Sequence, residues 1–224
     1  MPEFSLAERY EAVRQRLRRA ERLAARAEDT VSLLAVSKRQ SASQIRALHA
    51  LGQRDFGENY LQEAVAKQNE LKDIDLSWHF IGPLQRNKTA EVAANFDWVH
   101  SVDRLVLAER LSNQRPKHML PLNICLQVNL EGETSKSGCT PDALPELAHA
   151  VSQLPRLRLR GLMTLPAPGS VSAFAQLADS LKYLQGYYPH LDTLSMGMSA
   201  DLEPAVAAGA TWVRVGTAIF GHRN

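Results

Sequence analysis

The sequence predicts an α/β fold: a single TIM-type (β/α)8 barrel with an extra N-terminal helix. Three observations predict it. Apolar, strand-like runs alternate with helix-like segments along the chain, which implies right-handed βαβ units and a parallel sheet. Eight such runs fall between residues 31 and 221, the number a closed barrel needs. The runs carry Val, Ile, Leu and Trp with little polar alternation, as strands buried on both faces do. A doubly wound open sheet is the competing architecture, and the absence of GxGxxG after the first strand disfavours it. One domain spans 1–224, with the helix over about 5–28 and the barrel over about 31–221.

The elements follow in order. SLAERYEAVRQRLRRAERLAARAE reads as a helix: Ser5 can cap it, Glu8 stands three residues on, and Leu and Ala recur on one face. Its arginines alternate with glutamates, which reads as a solvated helix face rather than an RNA-binding patch. VSLLAVSK (31–38) is a strand, and SASQIRALHALG a helix with a serine start and a glycine stop. RDFGEN, SWHFIG, DWVHSV, LPLNICLQVNL (120–130), LRLRGLMTL and LDTLSMGM are the next six strands. Helices YLQEAVAKQNEL, RNKTAEVAAN, RLVLAERLSNQ, DALPELAHAVSQL, SAFAQLADSLKYLQGYY and DLEPAVAAG follow them in turn. TWVRVGTAIFG (211–221) is the last strand.

Composition narrows the classes. A net charge of +2 is too small to argue for a nucleic-acid partner. No segment approaches the about 20 apolar residues of a membrane span, and the N-terminus has no apolar signal core, so a cytoplasmic protein is expected. The two cysteines, Cys125 and Cys139, have neither metal-site nor disulfide spacing.

In a barrel of this kind chemistry sits where the strands end. Those positions hold Lys38, Asn59 and Tyr60, His79, Asn129, Met163 and Thr164, the SMGMS run, and Arg214 with Gly216 and Thr217. The loops after strands seven and eight commonly hold a phosphate. SMGMSADLEPAV brings the hydroxyl of Ser199 ahead of a helix, and VGTAIFG brings Gly216 and the hydroxyl of Thr217. The blander reading is that Ser199 caps its helix and Gly216 turns the chain. A lysine partly desolvated at the barrel mouth is driven toward its neutral, nucleophilic form and can attack an aldehyde. An aldehyde that also carries a phosphate is pyridoxal 5′-phosphate (PLP). Equally, Lys38 could be a surface lysine extending into solvent.

LLAVSK, FGENY, WHFIGPLQRNK, VNLEGETSKSG, GLMTL and LSMGMSADLEPAVAAGATWVRVGTAIFG resemble, in this order, the pyridoxal phosphate homeostasis protein family. That family is also called the proline synthase co-transcribed bacterial homologue family. The resemblance implies the alanine racemase-like, fold-type III PLP-binding barrel. It implies that Lys38 forms an internal Schiff base with PLP. It places Ser199, Gly216 and Thr217 on the phosphate, Gly197 and Met198 in the shaping of that loop, and Arg214 on the pyridine nitrogen. Asn59, His79 and Met163 would line the pocket. Two departures stand out. Met163-Thr164-Leu165-Pro166-Ala167 replaces the family's MTIPP, and the tail His222-Arg223-Asn224 is short.

An arginine on the ring nitrogen donates without giving up its proton, which weakens the ring as an electron sink. Racemisation needs an acid/base group on each face of the bound cofactor, and in alanine racemase a further β domain supplies the second. The expectation is therefore a binding protein, not an enzyme, that buffers intracellular PLP, with PLP-dependent apo-enzymes as recipients and a monomeric state. A small PLP-dependent amino-acid racemase is the runner-up, and a barrel for another phosphorylated metabolite the third reading. Lys136, in the loop after strand five, is taken as a solvated loop lysine rather than a second PLP contact. No metal site is expected.

Overall fold

The computed structural model describes residues 4–134 and 136–221. The tail at 222–224, noted above as a departure from the family pattern, lies outside them.

Helix α1 covers Leu6–Leu23 and begins with a capping box, Ser5 accepting from the Glu8 N–H and Glu8 reaching back to the Ser5 N–H. It buries Tyr10, Val13, Leu17 and Ala20, a stripe at helical spacing. It stops five residues before the expected end, and the chain turns through Ala25 and Asp29, both at positive φ. The remaining elements alternate as the pattern dictates: β1 Ser32–Val36, α2 Ala42–Ala50, β2 Asp55–Glu58, α3 Leu61–Glu70, β3 Ser77–Phe80, α4 Thr89–Asn95, β4 Trp98–Val102, α5 Leu105–Gln114, β5 Leu122–Gln127, α6 Leu144–Ser152, β6 Leu157–Met163, α7 Ser172–Gln185, β7 Thr193–Ser195, α8 Leu202–Ala207 and β8 Trp212–Val215. A short 3₁₀ turn, Arg86–Lys88, leads into α4.

Every strand pairs in parallel with its chain neighbours, and β8 closes on β1 through Ser32↔Trp212 to Ala35↔Val215. The barrel is therefore closed, and the open-sheet alternative is excluded. The main apolar core lies between the strands and the surrounding helices. The interior of the barrel is another matter. Alongside a small cluster of Trp98, Cys125 and Met163 it buries His79, His100, Ser195 and Arg214, where most barrels pack branched aliphatics.

Two expectations need correction. The last strand ends at Val215, and 217–220 form a helical turn, α9 (Thr217–Phe220). A short apolar run cannot be assigned to strand or buried helix by periodicity alone. Here Ile219 and Phe220 are buried, and their carbonyls accept from Arg9. Nor are the α1 arginines simply solvated. Besides Arg9, Arg16 binds Glu203 and the Ser199 carbonyl at 2.6 Å each, and Arg26, three residues past the end of the helix, donates to the Ala210 carbonyl at 2.7 Å. The polar face of α1 thus fastens the end of the chain to its beginning.

Candidate functional site

The chain leaves β1 in a tight turn. The Ser37 carbonyl accepts from Gln40 N–H at 3.0 Å, and Arg39 sits at φ 62°, a conformation its side chain disfavours. The Glu63 carboxylate accepts the Arg39 N–H and holds the turn in place. Lys38 occupies the corner, half-buried, and among the described residues its amine meets no hydrogen-bond or ion-pair partner.

Underneath lies a network that sequence reasoning missed. The Lys67 ammonium donates to the Ser37 carbonyl at 2.7 Å, to Glu58 at 2.7 Å and to Glu63 at 2.5 Å. These account for all three of its N–H donors. Ser37 Oγ adds a fourth link, donating to Glu58 Oε1 at 2.7 Å. Glu58 is fully buried, and that burial raises its carboxyl above the ordinary range against the pull of Lys67. A signal existed: a charged residue inside the apolar FGE strand, and Glu63 four residues before Lys67 on one helix face.

At the end of β2, Asn59 is half-buried, and its side-chain Oδ1 is enclosed without a partner. Tyr60 is exposed, under the Arg39 guanidinium at 5.7 Å from the ring centroid. Met163, the last residue of β6, is fully buried against Trp98 and Cys125, with Leu165 packed on the same group.

The loop after β7 carries the next candidates. Gly197 has φ 88°, and a Cβ there would stand 2.4 Å from that of Ala205, so only glycine fits. Met198 is exposed, and its N–H donates to Asp201 Oδ1 at 2.5 Å. Asp201, not Ser199, takes the cap position of α8, so the helix-capping reading of Ser199 falls. Ser199 is half-buried, with its carbonyl held by Arg16.

On β8, Arg214 is buried. Its Nη1 donates to Ser195 Oγ and its Nη2 to the Thr164 carbonyl, each at 2.8 Å. Burial pushes this guanidinium down to about 10, which leaves it protonated at neutral pH. A guanidinium has five N–H donors, so capacity remains for a further acceptor. Gly216 follows the strand; a Cβ on it would approach the Val36 carbonyl oxygen to 3.2 Å, so the ends of β1 and β8 pack closely there. Thr217 is exposed at the first position of α9, where backbone N–H groups have no partner within the helix.

The register gathers these residues. Ala35 pairs with Val215, so Lys38 and the Gly216–Thr217 pair leave adjacent strands at the same end. Asn59 lies on the other neighbour of β1, and the Gly197–Ser199 loop on the other neighbour of β8. His79 stands apart. It is fully enclosed inside the barrel, stacked on Trp98 with ring centroids 5.4 Å apart, and its Nε2 meets Asp55 Oδ1 at 3.1 Å. It reaches the mouth only through His100 and Ser195, residues that sequence reasoning passed over. Lys136 is not freely solvated: its amine pairs with Glu133 at 2.7 Å and Glu131 at 3.5 Å. Both cysteines are buried, and burial raises the Cys139 thiol to about 11.

The residues present suit PLP. Among the described residues they offer an amine without a competing acceptor, a guanidinium with donors to spare, an enclosed and unsatisfied Asn59 oxygen, and two glycine-shaped loops side by side.

The family model for the alanine racemase N-terminal domain matches residues 9–224. A pyridoxal phosphate homeostasis protein of Pseudomonas aeruginosa is 58% identical, with 98% of this chain and 96% of that protein covered. One from Escherichia coli K12 is 51% identical over 95% of this chain and 94% of that protein. The solved structure of PipY from Synechococcus elongatus, with PLP bound, superposes with a TM-score of 0.86 at 42% identity. It covers 97% of this chain and 100% of that one. An alanine racemase from Corynebacterium glutamicum shares the fold at a TM-score of 0.69 and 16% identity, over 95% of this chain and 61% of that one. This chain belongs to the pyridoxal phosphate homeostasis protein family.

Proposed function

On the premise of that membership, we propose that this chain holds PLP at the C-terminal mouth of its barrel and buffers the free cofactor, without turning over a substrate. PLP brings an aldehyde that condenses with an amine, and a ring that withdraws electrons. Lys38 is the amine. The observation that carries this assignment is the contrast between its partnerless nitrogen and the fully bonded Lys67 beneath the same turn. Ser199, Gly216 and Thr217 bind the phosphate, with Gly197 and Met198 shaping the loop and Arg16 pinning it through the Ser199 carbonyl. Arg214 donates to the ring nitrogen and keeps its own proton, so that nitrogen stays unprotonated and the site favours holding over carbanion chemistry. Asn59 and Met163 face the cofactor, and His79 acts from below. PLP-dependent apo-enzymes are the receivers this reading calls for. A monomer in the cytoplasm is the state it assumes; among the described residues, no helix is long and apolar enough to cross a membrane.

The test is a visible absorption spectrum of purified protein loaded with PLP, followed by borohydride reduction and peptide mapping. A band that bleaches, with the label on Lys38 alone, is the expected result. A label on another lysine, or a colourless protein that ignores PLP, sinks the assignment.

A further inference from the structure

A line of side chains runs through the barrel from end to end. Asp55, the first residue of β2, has its side chain 30% exposed and borders a cavity of about 210 Å³ with Tyr10, Arg14, Arg18 and Arg54. Its Oδ1 lies 3.1 Å from His79 Nε2, with Ser77 Oγ also at 3.1 Å from that nitrogen. His79 Nδ1 lies 2.9 Å from His100 Nε2, and His100 Nδ1 lies 2.8 Å from Ser195 Oγ. Ser195 Oγ accepts from Arg214.

Chemistry sets the direction of every proton. A guanidinium only donates, and a carboxylate only accepts. Arg214 therefore gives to Ser195, whose hydroxyl proton goes to His100 Nδ1. His100 gives from Nε2 to His79 Nδ1, and His79 gives from Nε2 to Asp55. The reverse order would set the His79 Nε2 lone pair against the Asp55 carboxylate oxygen, acceptor facing acceptor, and leave the Ser195 hydroxyl proton without an acceptor in the column. In this order each imidazole carries its donor proton on Nε2. Burial, with His79 and Arg214 close by, holds the His100 pKa well below the ordinary histidine range. The surroundings add little charge. Arg160, over the Trp98 ring, is paired with Asp192; Cys125 is buried as a thiol; Trp212 and Leu34 are apolar.

We infer that Asp55, His79, His100 and Ser195 form a one-way hydrogen-bonded column that positions Arg214, so that a change at the far end of the barrel reaches the group accepting from Arg214 at the mouth. These are positioning residues, acting at the mouth through Arg214. The column itself is independent of the function proposed above; only its effect on PLP rests on that reading.

Ring ¹⁵N chemical shifts of the full-length protein at neutral pH test the column without any variant. The expected result is the Nε2–H tautomer for both His79 and His100. An Nδ1–H or doubly protonated ring at either position overturns the inference. Asp55→Ala then removes the terminal acceptor at a partly exposed position. It should mix the His79 tautomers, shift the visible band of bound PLP and weaken its binding about threefold to tenfold, the effect of one net hydrogen bond. Asp55→Asn retains an acceptor oxygen and should restore tautomer, band and affinity. Unchanged shifts and affinity in Asp55→Ala, or an Asp55→Asn protein as impaired as Asp55→Ala, overturn the inference. Failure of the unaltered protein to bind PLP removes the proposed function, while the nitrogen shifts still decide the column.

Discussion

Two lysines meet at Ser37. Lys67 comes up from α3 and spends its three protons on the Ser37 carbonyl and two glutamates. Lys38 follows Ser37 in the chain and has no such partner among the described residues. The residue type is the same, and the surroundings assign opposite tasks. A lysine saturated by buried acceptors fixes a fold, whereas one denied them stays available to a ligand. The network beneath the turn also holds Arg39 in a disfavoured conformation, and so fixes where Lys38 points from.

Substitution separates the two. Lys67→Met leaves the buried Glu58 without its cation and should cost roughly 3–5 kcal/mol in urea unfolding, with the loss shrinking at acid pH as Glu58 takes up a proton. Lys38→Ala should change stability by no more than about 0.5 kcal/mol yet abolish the borohydride label. If both variants lose stability equally, the contrast is broken. Gly197→Ala sharpens it from the ligand side. Strain at φ 88° and the overlap with Ala205 should cost about 1–3 kcal/mol and weaken PLP binding together, since the fold and the site share that loop. Unaltered affinity would show that the loop does not shape the phosphate site.

The smallest effect concerns pH. Burial raises Glu58 above its ordinary 4.5. A raised acid stabilises the fold fully below its unfolded value, and that contribution is lost as pH rises through its folded value. Glu58→Gln carries no such term, so its stability relative to the parent should improve between pH 4 and pH 8. A constant difference across that range would mean that Glu58 is not perturbed.

Much of this was legible in the chain. The capping box at Ser5 and Glu8, the eight apolar runs and the strand-end residues Lys38, Arg214 and Gly216 could all be placed from local pattern, because period and cap chemistry are local. The helical turn at 217–220 could not, because four residues carry no period of their own. Nor could His79 be set below the mouth. The pleat puts it inside the barrel, but strand tilt decides its depth.

The order of elements and the residue types at each strand end were written in the sequence by itself, since both depend on neighbours within a few positions. Tertiary structure alone decided which lysine is bonded and which has no partner among the described residues, that Arg16 of α1 braces the β7–α8 loop, and that two histidines line up between Asp55 and Arg214. Those outcomes depend on barrel closure, which brings together groups as far apart in the chain as Arg16 and Glu203. Hydrogen-bond partnership is set by distance in space, and no local pattern encodes it.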